Sequence, residues 1–299
     1  MKAAVIYGQG EPNVLQIASI PAPGLEPNQV RVKVEAAAVN PVDLKTRSGF
    51  LADIKLNFPA VLGWDVAGIV EEIGNNAAPW QRGDRVIAMV AQPVRGLGTY
   101  AEYVNISADL LAPAPTSLPL AHAAAIPLGG ATAWQALDAV GLTDGTILIT
   151  GGVGAVGGLA IQLAKLRGLD VIALVSDRDE AAARALGADH VVHRGQPMPA
   201  SITDGVLDTA GATEAITSVH DNGSFVSIED VPLPSPERGI TPRKSYVNEN
   251  GGQLRELSEL VDHGELQIRI ADTYPLADAA TAHKRLEAGG VRGKLLLMP

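Results

Sequence analysis

The sequence predicts an α/β protein with two domains, one built on a doubly wound parallel sheet and the other rich in β-strands. The chain has 299 residues, which suffices for about two domains. Its first third contains strand-like stretches such as VRVKVEAAAV (30–39), in which apolar and charged residues alternate at the start. From residue 146 onward, short apolar runs alternate with helical segments, as in a parallel sheet covered on both faces.

The order of the predicted elements follows from turn and breaker residues. Strands joined by tight turns are expected between residues 67 and 90, and PAPTSLP (113–119) marks the crossing into the second domain. Residues 120–140 are predicted to be helical, with an interruption at 127–130. The later strands are expected at 146–150, 170–175, 190–192, 205–208, 224–228 and in the final GKLLLMP, and the later helices at 155–167, 179–186 and 253–261.

Composition excludes several classes of function. The net charge of −10, without any basic run, argues against a nucleic-acid-binding protein. The absence of cysteine excludes disulfides, thiolate zinc sites and cysteine nucleophiles, and no G-x-S-x-G hydrolase motif occurs. The N-terminus is unlike a signal peptide and no apolar run approaches the ~18 residues of a membrane span. We therefore expect a soluble, cytoplasmic protein.

The stretch TGGVGAVGG (150–158) lies between a predicted strand and a predicted helix. Its glycines at 152, 154 and 157 match G-x-G-x-x-G in the strand–helix–strand frame of a Rossmann dinucleotide site. Such glycines allow a tight turn, close approach of a pyrophosphate and close helix packing, and the helix N-terminus attracts negative charge. A plain strand-to-helix turn is the alternative. The predicted cofactor residues here are Gly152, Val153, Gly154, Ala155, Val156 and Gly157.

The residues after the next strand bear on the choice between NADPH and NADH. Ser176 and Arg178 suit the 2′-phosphate of NADPH, because a guanidinium can grip a phosphate with two hydrogen bonds. Asp177 between them keeps NADH open, because a carboxylate binds the ribose hydroxyl and repels a phosphate. Solvated residues at a helix start are the plainer alternative. NADPH is the favoured cofactor.

A set of motifs in a fixed order carries a resemblance over nearly the whole chain. The chain resembles the zinc-free medium-chain dehydrogenases/reductases, and within them the NADPH:quinone oxidoreductase group related to zeta-crystallin. The motifs are NPVDLKTRSG (40–49), PAVLGWDVAGIVEEIG (59–74), GDRV (83–86), GTYAEYV (98–104), AAAIPLGGATAWQAL (123–137), GGVGAVG (151–157) and RGKLLLM (292–298).

The resemblance implies a GroES-like β-barrel catalytic domain (1–118 and 265–299) and an inserted Rossmann NADP-binding domain (119–264), with cofactor and substrate in the cleft between them. It also implies a homodimer. Thr132 is expected near the nicotinamide. Asp208, Gly211, Ser227 and Ile228 lie at the carboxyl ends of later strands, where open α/β sheets bind ligands, and are expected as cofactor neighbours.

Metal-free chemistry is implied by two positions. Zinc-dependent relatives carry Cys where this chain has Asn40 and His where it has Trp64, and neither replacement supplies a thiolate or imidazole ligand. We therefore expect no zinc. The residue Asp65 next to Trp64 is by itself no metal site.

The expected substrate pocket contains Asn40, Asp43, Phe50, Leu51 and Trp64. Asn40 is the predicted catalytic residue, donating a hydrogen bond to a substrate oxygen on which charge grows, although a turn role is an equal alternative. Asp43 is expected chiefly to cap the following helix. The tyrosine that quinone reductases of this group often carry near here is replaced by Leu51 after Phe50, which weakens the prediction of quinone specificity.

The predicted function is NADPH-dependent, metal-free hydride transfer to a quinone or conjugated carbonyl, with a small molecule as the partner and the cofactor supplying the chemistry. An enoyl or alkenal C=C double-bond reductase of the same fold is the nearest alternative. A non-catalytic NADPH-binding redox sensor or structural protein is the alternative from another class.

Overall fold

The computed structural model describes residues 1–51, 55–91 and 96–299, and the chain forms two compact units. Unit 1 comprises Met1–Leu128, Asn248–Gly264 and Ile268–Pro299. Unit 2 comprises Gly129–Val247 and Glu265–Gln267. Within the described ranges, no helix combines the length and apolar character that crossing a membrane requires.

The N-terminal segment of unit 1 is mainly strands. Its elements are β1 (Lys2–Ile6), β2 (Gln16–Ser19), β3 (Gln29–Val39), α1 (Pro41–Ser48), β4 (Ala60–Val61), β5 (Asp65–Ile73), β6 (Arg85–Met89), β7 (Tyr103–Ser107), β8 (Ala112–Pro113) and α2 (Leu120–Ala123).

The chain passes into unit 2 within α3 (Pro127–Val140), and strands and helices then alternate. The elements that follow are β9 (Thr146–Thr150), α4 (Ala155–Leu166), β10 (Asp170–Val175), α5 (Glu180–Ala185), β11 (His190–His193), β12 (Thr203–Asp208), β13 (Val219–Ser227) and β14 (Arg243–Lys244). The chain then returns to unit 1, whose last elements are α6 (Gly251–Asp262), β15 (Ile270–Pro275), α7 (Ala279–Glu287) and β16 (Lys294–Met298).

Unit 2 is built on a parallel sheet of six strands in the order β11-β10-β9-β12-β13-β14. Counted from β9, this is the order 3-2-1-4-5-6 of the doubly wound dinucleotide-binding fold. Leu148 is fully buried on one face of the sheet and its neighbours Ile147 and Ile149 are fully buried on the other, so both faces are covered. The predicted fold class of this half is confirmed.

Unit 1 contains two sheets. A small antiparallel sheet has the order β2-β1-β4, and a sheet of seven strands runs β15-β16-β3-β5-β6-β8, with β7 also paired to β3. One apolar core packs β1 and β16 against α7, and a second packs the inner faces of β3, β5, β6 and β7. Because β16 pairs with β3, the C-terminal strand completes the sheet that the N-terminal strands begin.

The unit boundaries differ from the predicted domain boundaries at three places, the smallest being Glu265–Gln267, which belongs to unit 2. Helix α6 (Gly251–Asp262) belongs to unit 1 rather than unit 2, because Asp262 Oδ1 and Oδ2 accept hydrogen bonds from Ser117 N (2.7 Å) and Thr116 N (3.0 Å). Residues 120–128 also belong to unit 1, where α2 packs on β5 and β3. The pattern of apolar and turn-forming residues indicates where strands end, but it does not reveal which sheet a helix will cover.

The helical segment between 120 and 140 breaks earlier than predicted. The break lies at 124–126, between α2 and α3, and residues 127–130 form the first turn of α3. Pro127 stands at the first helical position, where its missing N–H costs nothing. Proline was therefore a start signal at this position and not an interruption.

Candidate active site

The side chain of Asn40 is buried and all its hydrogen-bonding groups are used within unit 1. Nδ2 donates to Asp65 Oδ2 (2.9 Å) and to the Ala38 carbonyl (3.1 Å), and Oδ1 accepts from Lys294 Nζ. The opposite amide orientation would set Oδ1 against a carboxylate and a carbonyl, so the orientation is unambiguous. The predicted donation from Asn40 to a substrate requires one of these bonds to break, and it stays a prediction.

Asp65 and Lys294 form a buried ion pair beside Asn40. Lys294 Nζ lies 2.9 Å from Asp65 Oδ2, and the two side chains are 6% and 0% exposed. The other carboxylate oxygen, Oδ1, accepts from the backbone N–H of Leu128 at 2.5 Å. The pair therefore joins the start of β5, the start of β16 and the first turn of α3.

Asp43 caps helix α1, the structural role that the sequence favours for it. Its Oδ2 accepts from Asn40 N (2.9 Å) and from the Tyr100 hydroxyl (3.0 Å), and its Oδ1 accepts from Gly63 N (3.1 Å). Burial raises the pKa of Asp43 to about 7, because desolvation of the carboxylate outweighs the hydrogen bonds from Asn40 and Tyr100.

A fully buried histidine lies behind Asp43. His283 Nε2 lies 3.3 Å from the Tyr100 oxygen, and its Nδ1 lies 3.5 Å from Arg47 Nη1. Since the Tyr100 proton goes to Asp43, Nε2–H donates to Tyr100 and Nδ1 faces the guanidinium as an acceptor. Burial, with the charge of Arg47, lowers the pKa of His283 to about 3, so this histidine is neutral in the folded protein.

The remaining residues of the predicted substrate pocket lie near the surface of unit 1. Phe50 is 64% exposed directly after α1, and Leu51 is half-buried. Trp64 is half-buried directly before β5, and its indole Nε1 is shielded from solvent without an acceptor among the described residues. The substrate-pocket role of Phe50, Leu51 and Trp64 stays a prediction.

In unit 2, the glycine loop connects β9 to α4 as predicted. Gly151 has a φ of 62°, and its carbonyl accepts from Gly154 N at 2.8 Å. A Cβ on Gly157 would lie 2.2 Å from the Gly151 oxygen, so this close helix–loop contact requires glycine. Helix α4 then starts at Ala155, with its free N–H groups at the carboxyl edge of the sheet.

Asp177 has a contact that sequence could not show. His193, at the end of β11, has Nδ1 2.5 Å from Asp177 Oδ1 and Nε2 3.2 Å from Glu180 Oε2. Ser176 donates to Asp179 Oδ2 at 2.5 Å. Arg178 is exposed and has no ion pair or hydrogen bond within the described chain. The Asp177 carboxylate thus lies against a histidine ring, whereas the Arg178 guanidinium is exposed without a partner among the described residues.

Arg194 is a second available guanidinium that the sequence analysis missed. It follows β11 directly, its N–H donates to the Val175 carbonyl at 2.7 Å, and its side chain is exposed without a partner in the described chain. Since β11 lies parallel to β10, Arg194 stands beside Ser176 and Arg178. The sequence did contain a signal for this residue, because a basic residue directly follows the strand that neighbours β10.

Asp208 and Ser227 hold three strand ends together. Asp208 Oδ1 accepts from Thr150 Oγ1 (2.6 Å) and its Oδ2 from Ser227 Oγ (2.9 Å), which connects β12 to β9 and β13. Both residues are buried, whereas Gly211 (φ 73°) and Ile228 beyond them are partly exposed. Thr132 is half-buried in α3. The cofactor roles predicted for these residues stay predictions.

Comparison with known proteins decides the family. The family model described as "Alcohol dehydrogenase GroES-like domain" matches residues 26–116, and the one described as "Zinc-binding dehydrogenase" matches residues 186–297. A tomato (Solanum lycopersicum) 2-methylene-furan-3-one reductase is 32% identical, over 100% of this chain and 79% of the relative. A chloroplastic NADPH-dependent alkenal/one oxidoreductase of Arabidopsis thaliana is 31% identical, over 100% and 80%.

The fold agrees with these matches. The structure of a quinone oxidoreductase from Coxiella burnetii superposes with a TM-score of 0.90 at 34% identity, over 100% of this chain and 99% of that one. The chain belongs to the medium-chain dehydrogenase/reductase family. The resemblance of the sequence to the quinone oxidoreductase group, the GroES-like and Rossmann domains, and the oxidoreductase class are confirmed.

The residues of this medium-chain dehydrogenase/reductase do not fit a catalytic zinc. The sequence contains no cysteine, and the side-chain oxygens of Asn40 and Asp65 accept hydrogen bonds from the Lys294 ammonium. Among residues 1–51, 55–91 and 96–299, no three His, Cys, Asp or Glu side chains are grouped to hold a metal. Zinc independence itself stays a prediction.

The close contact at Gly157 yields the first prediction. Gly157→Ala should lower the melting temperature, and it should weaken NADPH binding at least tenfold. The reason is that the new methyl group forces the loop away from α4. Gly158→Ala is the matched control: its Cβ would first meet Leu186 Cδ1 at 3.3 Å, and alanine favours a helix by ~1 kcal/mol. Thermal unfolding and NADPH titration of both variants check this. Equal behaviour of the two would contradict it.

The two buried titratable groups of unit 1 predict opposing effects of pH on stability. Unfolded histidine titrates near ~6.5 and unfolded Asp near ~3.9. Below about pH 6.5, His283 is protonated in the unfolded chain but stays neutral in the native protein. The free energy of unfolding therefore decreases as the pH falls. Between about pH 4 and 7 the native protein binds a proton at Asp43, so stability falls with rising pH.

His283→Gln should remove only the first effect. Relative to the wild type, its free energy of unfolding should rise as pH falls from 6.5, by up to ~1.4 kcal/mol per pH unit. Urea unfolding between pH 4.5 and 8 measures this, with exposed His263→Gln as the control. Parallel stability curves for wild type and His283→Gln would show that His283 does not titrate as described.

Proposed function

We propose that this protein is an NADPH-dependent reductase that transfers hydride to a quinone or a conjugated carbonyl compound. One observation carries the proposal most directly. Two exposed guanidiniums without partners in the described chain, Arg178 and Arg194, stand at the carboxyl ends of β10 and β11, at the same edge of the sheet as the glycine loop after β9. In this fold that position receives the adenosine ribose and its 2′-phosphate.

The electrostatics of this position favour NADPH over NADH. A doubly charged phosphate gains charge-assisted hydrogen bonds from two arginines. Asp177, the acid that otherwise binds the ribose hydroxyls of NADH, contacts His193 instead. The Arabidopsis relative is described as NADPH-dependent, which supports the same choice.

When bound, NADPH supplies the hydride, and the protein supplies position and polarity. The glycine loop and the N-terminus of α4 would hold the pyrophosphate, and Arg178 and Arg194 would hold the 2′-phosphate.

On the acceptor side, Phe50 and Trp64 offer flat apolar faces to a planar molecule. No buried acid faces the acceptor among the residues predicted for the pocket except Asp43, whose oxygens serve Asn40, Gly63 and Tyr100. We propose that the proton comes from water.

Two further features belong to the proposal. We propose a homodimer and a cytoplasmic location. We also propose that the reaction proceeds without zinc, since the oxygens of Asn40 and Asp65 are engaged by Lys294. The double-bond reductase and the quinone reductase share every feature described so far, and relatives of both descriptions occur.

The acceptor decides between the candidate functions. A panel of quinones, alkenals and enones should be tested with NADPH and NADH, following cofactor oxidation. We expect turnover with NADPH and at least one conjugated carbonyl compound. Turnover of enones alone identifies a double-bond reductase. Tight NADPH binding without any turnover would instead establish the non-catalytic alternative.

The arginines make the cofactor preference testable. Arg178→Ala should weaken NADPH binding by ~1–3 kcal/mol and leave NADH binding almost unchanged. Arg194→Ala should show the same selectivity. Arg82→Ala, which removes an exposed arginine of unit 1, is the control and should change neither. Equal losses for both cofactors would show that the arginines do not read the 2′-phosphate.

A further inference from the structure

Few buried polar atoms lack a partner in the described part of the chain. They are Trp64 Nε1, Thr99 Oγ1 and His193 Nδ1. His193 Nδ1 lies against the Asp177 carboxylate, so its environment is accounted for. Withdrawing a donor from water without supplying an acceptor costs free energy, and native proteins rarely accept that cost without a function. Trp64 is the one of these residues that lies within the predicted substrate pocket.

The backbone around Trp64 is held firmly. Its carbonyl accepts from Val90 N at 2.7 Å, and the preceding Gly63 carbonyl accepts from Thr99 N at 3.2 Å. The indole is therefore presented by a fixed segment at the start of β5. Trp64 as a whole is half-buried, so its ring adjoins the surface although the nitrogen is shielded.

The oxygens of Asp65, the residue next to Trp64 in sequence, already accept hydrogen bonds. Asp65 Oδ1 accepts from Leu128 N, and Oδ2 accepts from both Asn40 Nδ2 and Lys294 Nζ. The Asn40 oxygen accepts from Lys294 as well. None of these oxygens accepts a hydrogen bond from the indole N–H.

The same cluster removes the other candidate donor. Both hydrogens of Asn40 Nδ2 are engaged, by Ala38 and Asp65. Among the described residues of the predicted substrate pocket, the Trp64 indole N–H is thus a buried donor without a partner. An indole N–H donates and never accepts, so it suits a bare oxygen such as a carbonyl and not a donor group.

We propose that Trp64 Nε1–H donates a hydrogen bond to the carbonyl oxygen of the acceptor and stabilises the negative charge that grows there. The inference rests on the proposed reductase function. Hydride from NADPH adds to the carbon at the end of the conjugated system, and the electron pair of the C=C bond moves to the carbonyl oxygen. The resulting enolate or phenolate oxygen is then protonated by water, and the Trp64 proton is not transferred. A donor aimed at this oxygen acts in the transition state.

Two tryptophan variants separate this role from a structural one. Trp64→Phe should lower kcat for quinones or enones by at least tenfold and leave the NADPH affinity within twofold of wild type. The variant loses no hydrogen bond, because the indole makes none in the described chain, so no decrease in melting temperature is expected from that cause. Trp80→Phe is the matched control. Trp80 Nε1 donates to the Ala108 carbonyl at 2.9 Å, so this variant should lose about 2–4 °C in melting temperature and keep its kcat.

Trp64→His tests whether the donor itself is responsible. The histidine Nε2 stands two bonds from Cγ, as the indole nitrogen does, and it can carry a proton. At pH 8 this variant should recover part of the kcat that Trp64→Phe loses. Unchanged kcat in Trp64→Phe, or equal losses in the Phe and His variants, would overturn the proposal while leaving the reductase function intact.

A measurement on the wild type requires neither turnover nor a variant at position 64. The chain has three tryptophans, so ¹H–¹⁵N spectra contain three indole N–H signals, which Trp80→Phe and Trp134→Phe assign. Adding 1,4-naphthoquinone to the NADP⁺ complex should move the Trp64 signal downfield, as expected when an N–H gains an acceptor. A naphthoquinone that binds, shifting other signals but not that of Trp64, refutes the inference. A protein that binds neither NADP⁺ nor the quinone refutes the proposed function and this inference with it.

Discussion

The buried ion pair between Asp65 and Lys294 is the interaction on which the arrangement of unit 1 depends. It brings together the start of β5, the start of β16, the Asn40 side chain before α1 and the backbone N–H of Leu128 in α3. Removing either charge alone would leave the other desolvated, which typically costs ~3–5 kcal/mol. The pair therefore holds the C-terminal strand against β3, and Lys294 on that strand contacts Asn40, 254 residues earlier in the chain.

The same pair shapes the chemistry of the acceptor side. Asp65 Oδ2, Lys294 Nζ and the Asn40 amide hydrogen-bond to one another, while Leu128 N donates to Asp65 Oδ1 and the Ala38 carbonyl accepts the second hydrogen of Asn40 Nδ2. A lysine ammonium thus occupies the oxygens that a cation would otherwise need. The nearby Asp43, Tyr100 and His283 form a second buried cluster whose hydrogen bonds are likewise internal. The Trp64 indole N–H is outside both networks, and for this reason it is the donor that we propose for the acceptor.

Sequence reasoning predicted the cofactor unit well because its signals are local. A glycine loop, the strand before it and the helix after it all lie within about twenty residues, and the structure reproduces each element to within a few positions. The acid at Asp177 could not be interpreted in the same way, because its partner His193 lies on the next strand of the sheet. Arg194 was missed for the same reason.

Unit 1 shows the limit more clearly. The sequence placed Asn40, Asp43 and Trp64 in one pocket through resemblance, yet nothing local indicates that Lys294 reaches Asn40 or that His283 lies behind Tyr100. These contacts depend on β16 pairing with β3 and α7 packing on the same sheet. A residue's role in such a cluster is set by how many of its hydrogen bonds the fold already uses, which periodicity and motif do not reveal.

The most direct test of the central claim is the fate of the hydride. NADPH carrying deuterium in the hydride that leaves nicotinamide C4 should be incubated with the protein and an unsaturated ketone, with a quinone in parallel, and the products examined by mass spectrometry. We predict one deuterium on the carbon β to the ketone carbonyl, or stoichiometric NADPH oxidation by the quinone. Bound NADPH that neither delivers deuterium to the ketone nor is oxidised by the quinone would contradict the account.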